Sequence, residues 1–568
     1  MYIDRVPNRN SRPAVLLREG WREEGKIRKK TLANLSHWPE HKVEALRRLL
    51  RGETLIRPDE LFAIERSRPH GHVRAVLGTV HKLGLESLLS SSAGRERSLV
   101  VAMITARLVH PCSKLATTRH WHSTSLAEEL QVHDAQVDEL YAALDWLVAR
   151  QERIEAKLAR RHLKDGALVL YDTTTSYYEG RSCSLARFGH DRDKRGLPVI
   201  LYGVLTDAAG CPVAVEVYPG NTGDPTTVVD QLQKLQHRFG LSRVVIVGDR
   251  GMLTQTQIDK LRKHPGLGWV SSLRSPAIQE LLASGRLQHS LFDETNLAEI
   301  HSEKFPGERL VVCFNPVLAQ ERKRKREELL QVTERALERI TAEVRRRKKK
   351  VLGKAEIGLK AGRVLHRFKM GKHFQLRIED GVFQWTRRHE KIHREAELDG
   401  IYVIRTSEPK DRLSAEDAVR TYKSLSLVER AFRCLKGIDL LVRPIHHRTE
   451  AHVRAHIFLC MLAYYVEWHM RKALAPLLFH DEQLDADRKT RDPVAAPVAS
   501  EPARRKKSLL LTPQGQTVHS FRTLIAEMGT LCKNQCRMKS DSDGPIFSQL
   551  TEPTPFQARV FQLLGLSQ

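Results

Sequence analysis

The fold class is set by Leu168-Val-Leu-Tyr-Asp172 and Val244-Val-Ile-Val-Gly-Asp249, two short apolar runs that each end in an aspartate. Continuous apolar runs of this length are typical of strands that are buried on both faces of a sheet. We expect the two strands to be neighbours, so that the carboxylates of Asp172 and Asp249 lie side by side.

Further elements are predicted around these two runs. They are strands over 197–206, 211–218 and 268–273, and helices over 224–238 and 254–264. Asp207-Ala-Ala-Gly210 predicts a hairpin turn between the first two of these strands, and Asp224 is a candidate N-cap. The succession strand, hairpin, helix, strand, helix, strand predicts a mixed α/β fold with RNase H-like topology.

A glutamate in the last third of the chain stands between two other functional side chains. Tyr422, Glu429 and Lys436 are seven residues apart. Seven residues are two turns of a helix, so the spacing predicts one shared face. A carboxylate between a phenol and an ammonium suits a metal that is held beside a phosphate.

Two strand-end aspartates and a helical glutamate make the ligand set of a two-metal site for phosphoryl transfer. Carboxylate oxygens hold Mg²⁺ without saturating it, which leaves positions for phosphate and water. The predicted catalytic and metal-binding residues are therefore Asp172, Asp249 and Glu429. Arg430 and Arg433 lie on the same predicted helix, where they either contact DNA or form a solvated face.

The segment from Tyr422 to Lys436 resembles the tyrosine-arginine-glutamate-lysine signature of the IS4-type DDE transposases, and long chains of the IS1634 kind match best. Leu425 stands where the signature has its arginine. The resemblance covers roughly 1–472. Its other motifs are Tyr171-Asp-Thr-Thr-Thr175, Gly248-Asp-Arg-Gly-Met252, Asp399-Gly-Ile-Tyr-Val-Ile-Arg405 and Arg443-Pro-Ile-His-His447.

The resemblance implies an RNase H-like core that cuts DNA at the inverted-repeat ends of a mobile element and joins the ends to target DNA. It implies two Mg²⁺ ions, for which Mn²⁺ can substitute, and contacts from Tyr422 and Lys436 to DNA. The expected partners are double-stranded DNA and a second copy of the chain, because two ends must be joined in concert.

The pattern along the chain predicts a helical region before the catalytic core and a large insertion before its last acid. The predicted divisions are a basic N-terminal element (1–60), a helical end-binding region (61–165), the core's first part (166–275), the insertion (276–397), the core's second part (398–475) and a linker with a tail (476–568).

Two segments outside the core carry more detailed predictions. Residues 317–350 predict a long charged helix, and residues 482–508, which are polar and rich in alanine and proline, predict a disordered linker. The tail beyond the linker predicts two weak helices. The apolar stripe expected on the long helix is Leu329, Val332, Ala336, Ile340 and Val344.

Charge is the strongest compositional signal. Lysine and arginine outnumber acidic residues 94 to 68, which gives a net charge of +26 and a pI near 9.8. Such an excess favours a polyanionic partner, since neutralised phosphates release counterions. No apolar run is long enough to span a bilayer, no signal stretch opens the chain and the eight cysteines are scattered. We expect a cytoplasmic protein associated with the bacterial nucleoid.

Two alternatives to a transposase stay open at this point. One is an RNase H-like nuclease or resolvase that cuts DNA without strand transfer. The other is a catalytically silent DNA-binding protein derived from a transposase, against which the intact acidic triad argues. A ribosomal or chromatin-type packing protein would explain the charge but not the aspartates at strand ends.

Overall fold

The computed structural model of the protein describes residues 1–9, 12–53, 61–292, 295–347, 349–539 and 544–567. The chain forms two compact units. The first unit combines Met1–Arg68 with Cys532–Glu552, and the second combines Pro69–Leu531 with Pro553–Gln568. All predicted site residues lie in the second unit.

The strands of the described residues are β1 (Tyr2–Val6), β2 (Ala14–Glu23), β3 (Lys26–Asn34), β4 (Phe62–Pro69), β5 (Ala167–Tyr177), β6 (Val199–Asp207), β7 (Pro212–Pro219), β8 (Val244–Val247), β9 (Leu267–Ser272), β10 (Leu297–Ile300), β11 (Arg309–Phe314), β12 (Phe374–Glu379), β13 (Val382–Arg387), β14 (Ile401–Thr406), β15 (Cys532–Met538) and β16 (Phe547–Leu550).

The α-helices of the same residues are Glu40–Leu50, Gly71–Lys82, Leu85–Leu89, Arg95–Val109, Lys114–His120, Leu126–Glu129, Val137–Val148, Gln151–His162, Asp224–Gln233, Gln255–Leu261, Ser275–Ala283, Pro316–Arg346, Lys354–Phe368, His389–Ala396, Ala415–Lys423, Leu425–Lys436, Glu450–Ala473, Leu484–Thr490, Glu501–Leu509, Phe521–Met528 and Pro555–Leu564.

The second unit is built on one mixed sheet, with the strand order β10-β11-β14-β9-β8-β5-β6-β7. β5, β6 and β7 are antiparallel neighbours, whereas β8 and β9 run parallel to β5. The predicted succession of strand, hairpin, helix, strand, helix and strand is observed between β5 and β9. The fold is therefore mixed α/β, as the sequence predicts.

Helices bury the sheet because its strands are apolar on both faces. β8 is buried at all four positions, and β6 is buried at every position before Asp207. The helix Glu450–Ala473 is buried along most of its length and shares one hydrophobic core with β5 to β9 and with helices from the region before β5. This packing holds β5, which bears Asp172, and β8, which precedes Asp249.

The segment predicted as an insertion contributes to the main sheet. β10 and β11 extend the sheet beyond β14, and the apolar run Leu310-Val-Val-Cys313 of β11 is fully buried. The rest of this segment has its own small core, formed by the helices Pro316–Arg346 and Lys354–Phe368 with the β12–β13 hairpin.

The predicted stripe on the long helix is wrong over its first half. Leu329 and Val332 are exposed, whereas Leu330, Thr333 and Leu337 are buried together with the predicted Ile340 and Val344. The error amounts to one residue of helical register. Its cause is that Thr333, a polar residue, takes a core position by donating its hydroxyl to the carbonyl of Leu329.

The prediction of a disordered linker is wrong, because helices form over Leu484–Thr490 and Glu501–Leu509. Lys506 anchors the second of these by donating to the backbone carbonyls of Ala475, Pro476, Leu478 and His480. The two helices predicted in the tail are present as Phe521–Met528 and Pro555–Leu564. Two strands of the tail, β15 and β16, form a three-stranded sheet with β4 in the first unit.

None of the described helices alone is long and apolar enough to cross a bilayer. The helical segments Arg95–Val109 and Lys114–Ser123 reach that length and hydropathy only when taken together, and the chain bends by 87° between them.

Candidate active site

The register of three neighbouring strands brings Asp172, Asp249 and Ser272 to a similar level of the sheet. Asp172 was predicted to end its strand, but β5 continues beyond it to Tyr177. Leu170 of β5 is opposite Val247 of β8, and Val247 is opposite Val270 of β9. Asp172 and Ser272 each lie two residues further along their strands, and Asp249 lies two residues beyond the last residue of β8. The carboxylate of Asp249 is close enough to raise the pKa of Asp172.

The side chain of Asp172 points to one face of the sheet, which its neighbours identify. Thr173 donates its hydroxyl to Asp224 on one face, and Thr174 accepts from Lys436 on the other. Because side chains alternate along a strand, Asp172 shares the face of Thr174. This is the face covered by the helix Leu425–Lys436, which we call the glutamate helix.

The pKa of Asp172 is raised to about 7, chiefly by burial and also by the nearby carboxylates of Asp249 and Asp224, against the opposing effects of the Thr173 amide and the Arg192 guanidinium. A buried carboxyl beside two others holds its proton more tightly, because the charged form lacks solvent and repels its neighbours. This edge of the sheet therefore favours a bound cation.

Asp249 is exposed and closes the turn after β8. Its Oδ1 accepts from the backbone N–H groups of Gly251, at 2.9 Å, and Met252, at 2.8 Å. A Cβ at position 251 would lie 3.2 Å from the same oxygen, which is tighter than an ordinary contact. Oδ2 of Asp249 would lie 3.3 Å from the same Cβ, so glycine in the motif Gly248-Asp-Arg-Gly-Met252 leaves room for both carboxylate oxygens.

Two contacts attach this part of the chain to the sheet, one from the helix before the glutamate helix and one from the end of the glutamate helix. The Tyr422 hydroxyl lies 2.7 Å from Ser272 Oγ, and Lys436 Nζ donates to the Thr175 carbonyl at 2.8 Å. Glu429 is halfway along the chain between these contacts and shares the face of Lys436, two turns away. The glutamate helix packs on β5 and β6, and the side chain of Glu429 is exposed.

The predicted single helical face holds for Glu429 and Lys436 but not for Tyr422. Tyr422 belongs to the preceding helix, Ala415–Lys423, and the two helices meet at Ser424. Its hydroxyl nevertheless reaches the site: burial raises the pKa of Tyr422, and the carboxylates of Asp249 and Asp172 add to this rise.

The three acids flank the edge of the sheet without closing on one point. Within the described residues, they are not among the groups of side chains whose ligand atoms all lie within 4.8 Å of one another. Glu429 is exposed, while the opposite face of its helix is buried through Val428, Ala431, Phe432, Cys434 and Leu435. The site is thus open on the side where Glu429 stands.

Lys436 has an acidic partner that sequence reasoning missed. Its Nζ lies 3.3 Å from Oδ1 of Asp193, which also forms an ion pair with Arg443. Burial lowers the pKa of Lys436, while the Asp193 carboxylate opposes this change. The other carboxylate oxygen, Oδ2, is buried and accepts no hydrogen bond from any described group.

Further side chains at the site have weaker sequence signals. Arg192 pairs with Asp224 at 3.4 Å, and both lie close enough to shift the pKa of Asp172. Asp224 was predicted to cap its helix, but Gly223 holds the N-cap position. The charged run Asp191-Arg-Asp-Lys-Arg195 was the available clue, but only the fold brings it to the end of β5.

Arg430 and Arg433 lie on the exposed side of the glutamate helix. In the part of the chain that the structure describes, neither forms an ion pair. Leu425, at the position of the signature arginine, begins the helix and packs half-buried against the hydrophobic core. The basic groups on this helix other than Lys436 are therefore open to solvent.

Comparison with known proteins gives two family matches. The family model "Transposase DDE domain" matches residues 164–466, which include Asp172, Asp249 and Glu429. The model "IS1634 family transposase, N-terminal domain" matches residues 3–60. No curated protein matches the chain.

Among solved structures, the chain resembles the piggyBac transposase in a synaptic complex with hairpin DNA, determined by cryo-electron microscopy. The identity is 9%, the TM-score is 0.35, and the match covers 80% of this chain and 76% of the other. A similarity this low does not establish a shared fold. The two family matches, which together span most of the first 466 residues, show that this chain belongs to the DDE transposases of the IS1634 family.

Proposed function

We propose that this transposase binds the terminal inverted repeats of its own insertion sequence, hydrolyses a phosphodiester at each end and joins the freed 3′-hydroxyl groups to target DNA. One observation carries the proposal: Asp172 lies on β5 where this strand continues past the end of its parallel neighbour β8, Asp249 follows β8, and the helix that bears Glu429 packs on the Asp172 face of β5. Asp172, Asp249 and Glu429 are the proposed catalytic residues.

The topology supports an RNase H-like catalytic core within the second unit. Three antiparallel strands, β7-β6-β5, are followed across the sheet by β8 and β9, which are parallel to β5. The first acid lies on the central strand and the second follows the next strand, as we expect for this core. The glutamate then comes from a helix that packs on the sheet.

The three acids fit Mg²⁺, with two ions expected and Mn²⁺ as a substitute. They offer hard carboxylate oxygens, the ligands that both ions prefer, and Asp249 is exposed. When bound, such ions activate the attacking oxygen and stabilise the leaving oxygen of an in-line displacement. The half-buried Asp172, beside two other carboxylates, is the position at which a cation would relieve most repulsion.

The basic residues around the acids would hold the DNA backbone. Lys436 lies at the end of β5, next to the face of Asp172, and Arg430 and Arg433 offer exposed guanidinium groups on the glutamate helix. Tyr422 contacts Ser272 on β9. We infer that these groups contact phosphates on either side of the scissile bond, since charged donors bind phosphate oxygens well.

The proposed partners are double-stranded DNA and a second copy of the chain. The net charge of +26 favours a polyanion and predicts that binding weakens steeply with salt. Two chains are proposed in the DNA complex, because each element has two ends and one set of the three acids serves one phosphodiester at a time.

The test is cleavage and joining of labelled duplexes that carry the element ends, with purified full-length protein and Mg²⁺. We expect nicking at the element boundary, followed by joining of the 3′ ends to a target plasmid. Glu429→Gln should abolish both steps, and Glu416→Gln, which changes an exposed acid in the preceding helix, is the matched control. Cleavage without joining would favour the nuclease, and binding without cleavage would favour the silent DNA-binding protein.

A further inference from the structure

Three metal-ligating side chains meet at a point in the second unit that the active site does not use. His162 ends the helix Gln151–His162, Cys211 follows the turn between β6 and β7, and His469 comes from the helix Glu450–Ala473. Their ligand atoms all lie within 4.8 Å of one another. We call these three residues the histidine–cysteine cluster.

We propose that the histidine–cysteine cluster binds one structural Zn²⁺ ion, with a water held by Asp207 in the fourth position. Zn²⁺ prefers sulfur at about 2.3 Å and imidazole nitrogen at about 2.0–2.1 Å in a tetrahedron, which separates neighbouring ligand atoms by roughly 3.3–3.7 Å. Cys211 Sγ lies 4.0 Å from Nε2 of His469. A contraction of a few tenths of an ångström would bring this pair to ligating geometry.

Groups around the cluster orient the ligands as an outer shell does in metal sites. Nε2 of His162 lies 3.0 Å from the Tyr465 hydroxyl, which also accepts from the Arg161 guanidinium. This contact leaves Nδ1 of His162 free to bind metal. A histidine whose second nitrogen is held by a hydrogen bond has its ring orientation fixed, as ligating histidines usually do.

Asp207 is held in a way that suits the fourth position. Its Oδ1 accepts from the backbone N–H groups of Ala209, at 2.9 Å, and Cys211, at 2.8 Å. Its Oδ2 faces Nδ1 of His162 at 3.9 Å. One oxygen is thus fixed in the hairpin turn, and the other is left to accept from a metal-bound water.

The charges at the cluster are compatible with a divalent cation. Cys211 is fully buried and would bind as a thiolate, and Asp207 adds a second negative charge. The cations that face the cluster, Arg161 and Lys472, are both exposed and therefore screened by water.

A second cluster of possible metal ligands in the same unit already contains a cation from the protein itself. Cys434, Asp439 and Glu467 also bring their ligand atoms within 4.8 Å. There the Arg471 guanidinium already pairs with Glu467, at 2.6 Å, and with Asp439, at 2.9 Å. This protein cation replaces a metal, whereas the histidine–cysteine cluster has no such cation among its described contacts.

The proposed ion would fasten three parts of the fold at one point. The helix Gln151–His162 precedes the catalytic sheet, the β6–β7 hairpin belongs to the sheet, and the helix Glu450–Ala473 covers it. We therefore assign the site a structural role.

The test measures metal in the full-length protein after dialysis against a weak chelator, by mass spectrometry of the elements. We expect about one zinc per chain in the wild type and, after Co²⁺ replacement, a thiolate-to-cobalt absorption band. Cys211→Ser should lower zinc affinity at least about 100-fold, and Asp207→Asn about 10- to 100-fold. Cys434→Ser, the matched control, should keep the metal.

Wild-type protein that holds no zinc after growth in zinc and gives no cobalt–thiolate band would overturn the proposal, and so would equal loss from Cys211→Ser and Cys434→Ser. If Cys211→Ser does not fold, the thermal unfolding of wild-type protein decides: added zinc raises the midpoint if the site exists and leaves it unchanged if it does not. The proposed DNA chemistry is not at stake in either measurement.

Discussion

The second unit holds two candidate metal sites that differ in almost every respect. Asp172, Asp249 and Glu429 offer oxygen ligands from the central strand β5, the turn after β8 and a helix, stand partly in solvent and do not converge. The histidine–cysteine cluster offers nitrogen and sulfur ligands from elements that pack together, and its ligand atoms lie within 4.8 Å.

The difference follows from what each site has to do. A site that works on DNA must leave coordination positions for phosphate and water, so its protein ligands remain spread along an open edge. A structural site instead holds its ligands at fixed distances between packed elements, and nitrogen and sulfur ligands select zinc over magnesium. The two sites should therefore respond to different substitutions and different metals.

The largest expected effect is the loss of catalysis on removal of one acid. Asp249→Asn keeps a side-chain oxygen for the turn to Gly251 and Met252 but loses the charge. We expect cleavage to fall at least about a thousandfold, with end binding within about twofold of wild type. Gel shift and cleavage on one preparation measure both, with Asp259→Asn in the exposed helix Gln255–Leu261 as the control. Retained cleavage in Asp249→Asn would remove this residue from the site.

A smaller effect is expected at Lys436. Its ammonium group is the one basic group of the glutamate helix that touches β5. Lys436→Ala should slow cleavage about ten- to a hundredfold, the usual effect of losing one charged phosphate contact of about 1.5–3 kcal/mol. Single-turnover kinetics at saturating protein measures the change, and Lys436→Arg should recover part of it. An unchanged rate in Lys436→Ala would assign this lysine to packing alone.

A gain of DNA affinity is expected at Asp193. Its carboxylate occupies Lys436 and Arg443, so a phosphate must compete with it for both cations. Asp193→Asn should tighten binding of end DNA a few-fold, an effect that shrinks as salt is raised. Titration by fluorescence anisotropy at two salt concentrations measures this. Weaker binding by the variant would show that Asp193 positions the two cations instead of competing for them.

The smallest effect is expected at Leu425. The side chain is half-buried against the core, so Leu425→Arg should cost about 1 kcal/mol of unfolding free energy while its long stem stays on the apolar surface. The added guanidinium, at the position of the signature arginine, should tighten DNA binding slightly. Denaturant unfolding and anisotropy measure the two quantities. A variant that cannot fold would show that this position belongs to the core.

The two sites also differ in how far the sequence predicts them. Asp172 and Asp249 follow apolar runs that read as strands, and Glu429 lies in a recognisable motif, so local patterns are enough to pair them. His162, Cys211 and His469 come from distant positions with no spacing in common, and only tertiary packing brings them together. The ion pairs of Asp193 were missed for the same reason.

Predictions from local sequence patterns were also wrong where a polar residue occupies a core position or where strands pair over a long distance in the chain. Thr333 took a core position that the predicted stripe gave to Val332. The tail strand β15 pairs with β4, which lies more than 460 residues earlier in the chain. Composition does not predict such a long-range pairing. The apolar run of β11 did carry a strand signal, but its position between two charged segments hid its place in the sheet.

The most direct test of the central account is a metal switch at Glu429. In Glu429→Cys a sulfur replaces the carboxylate, and sulfur binds Mn²⁺ more readily than Mg²⁺. The measurement is the cleavage rate of end DNA by this variant in each metal, beside wild type and Glu429→Ala. If Glu429 holds the catalytic metal, Glu429→Cys is inactive in Mg²⁺ and regains cleavage in Mn²⁺, while Glu429→Ala regains none. Equal activity of Glu429→Cys in both metals, or equal rescue of Glu429→Ala by Mn²⁺, would contradict the assignment.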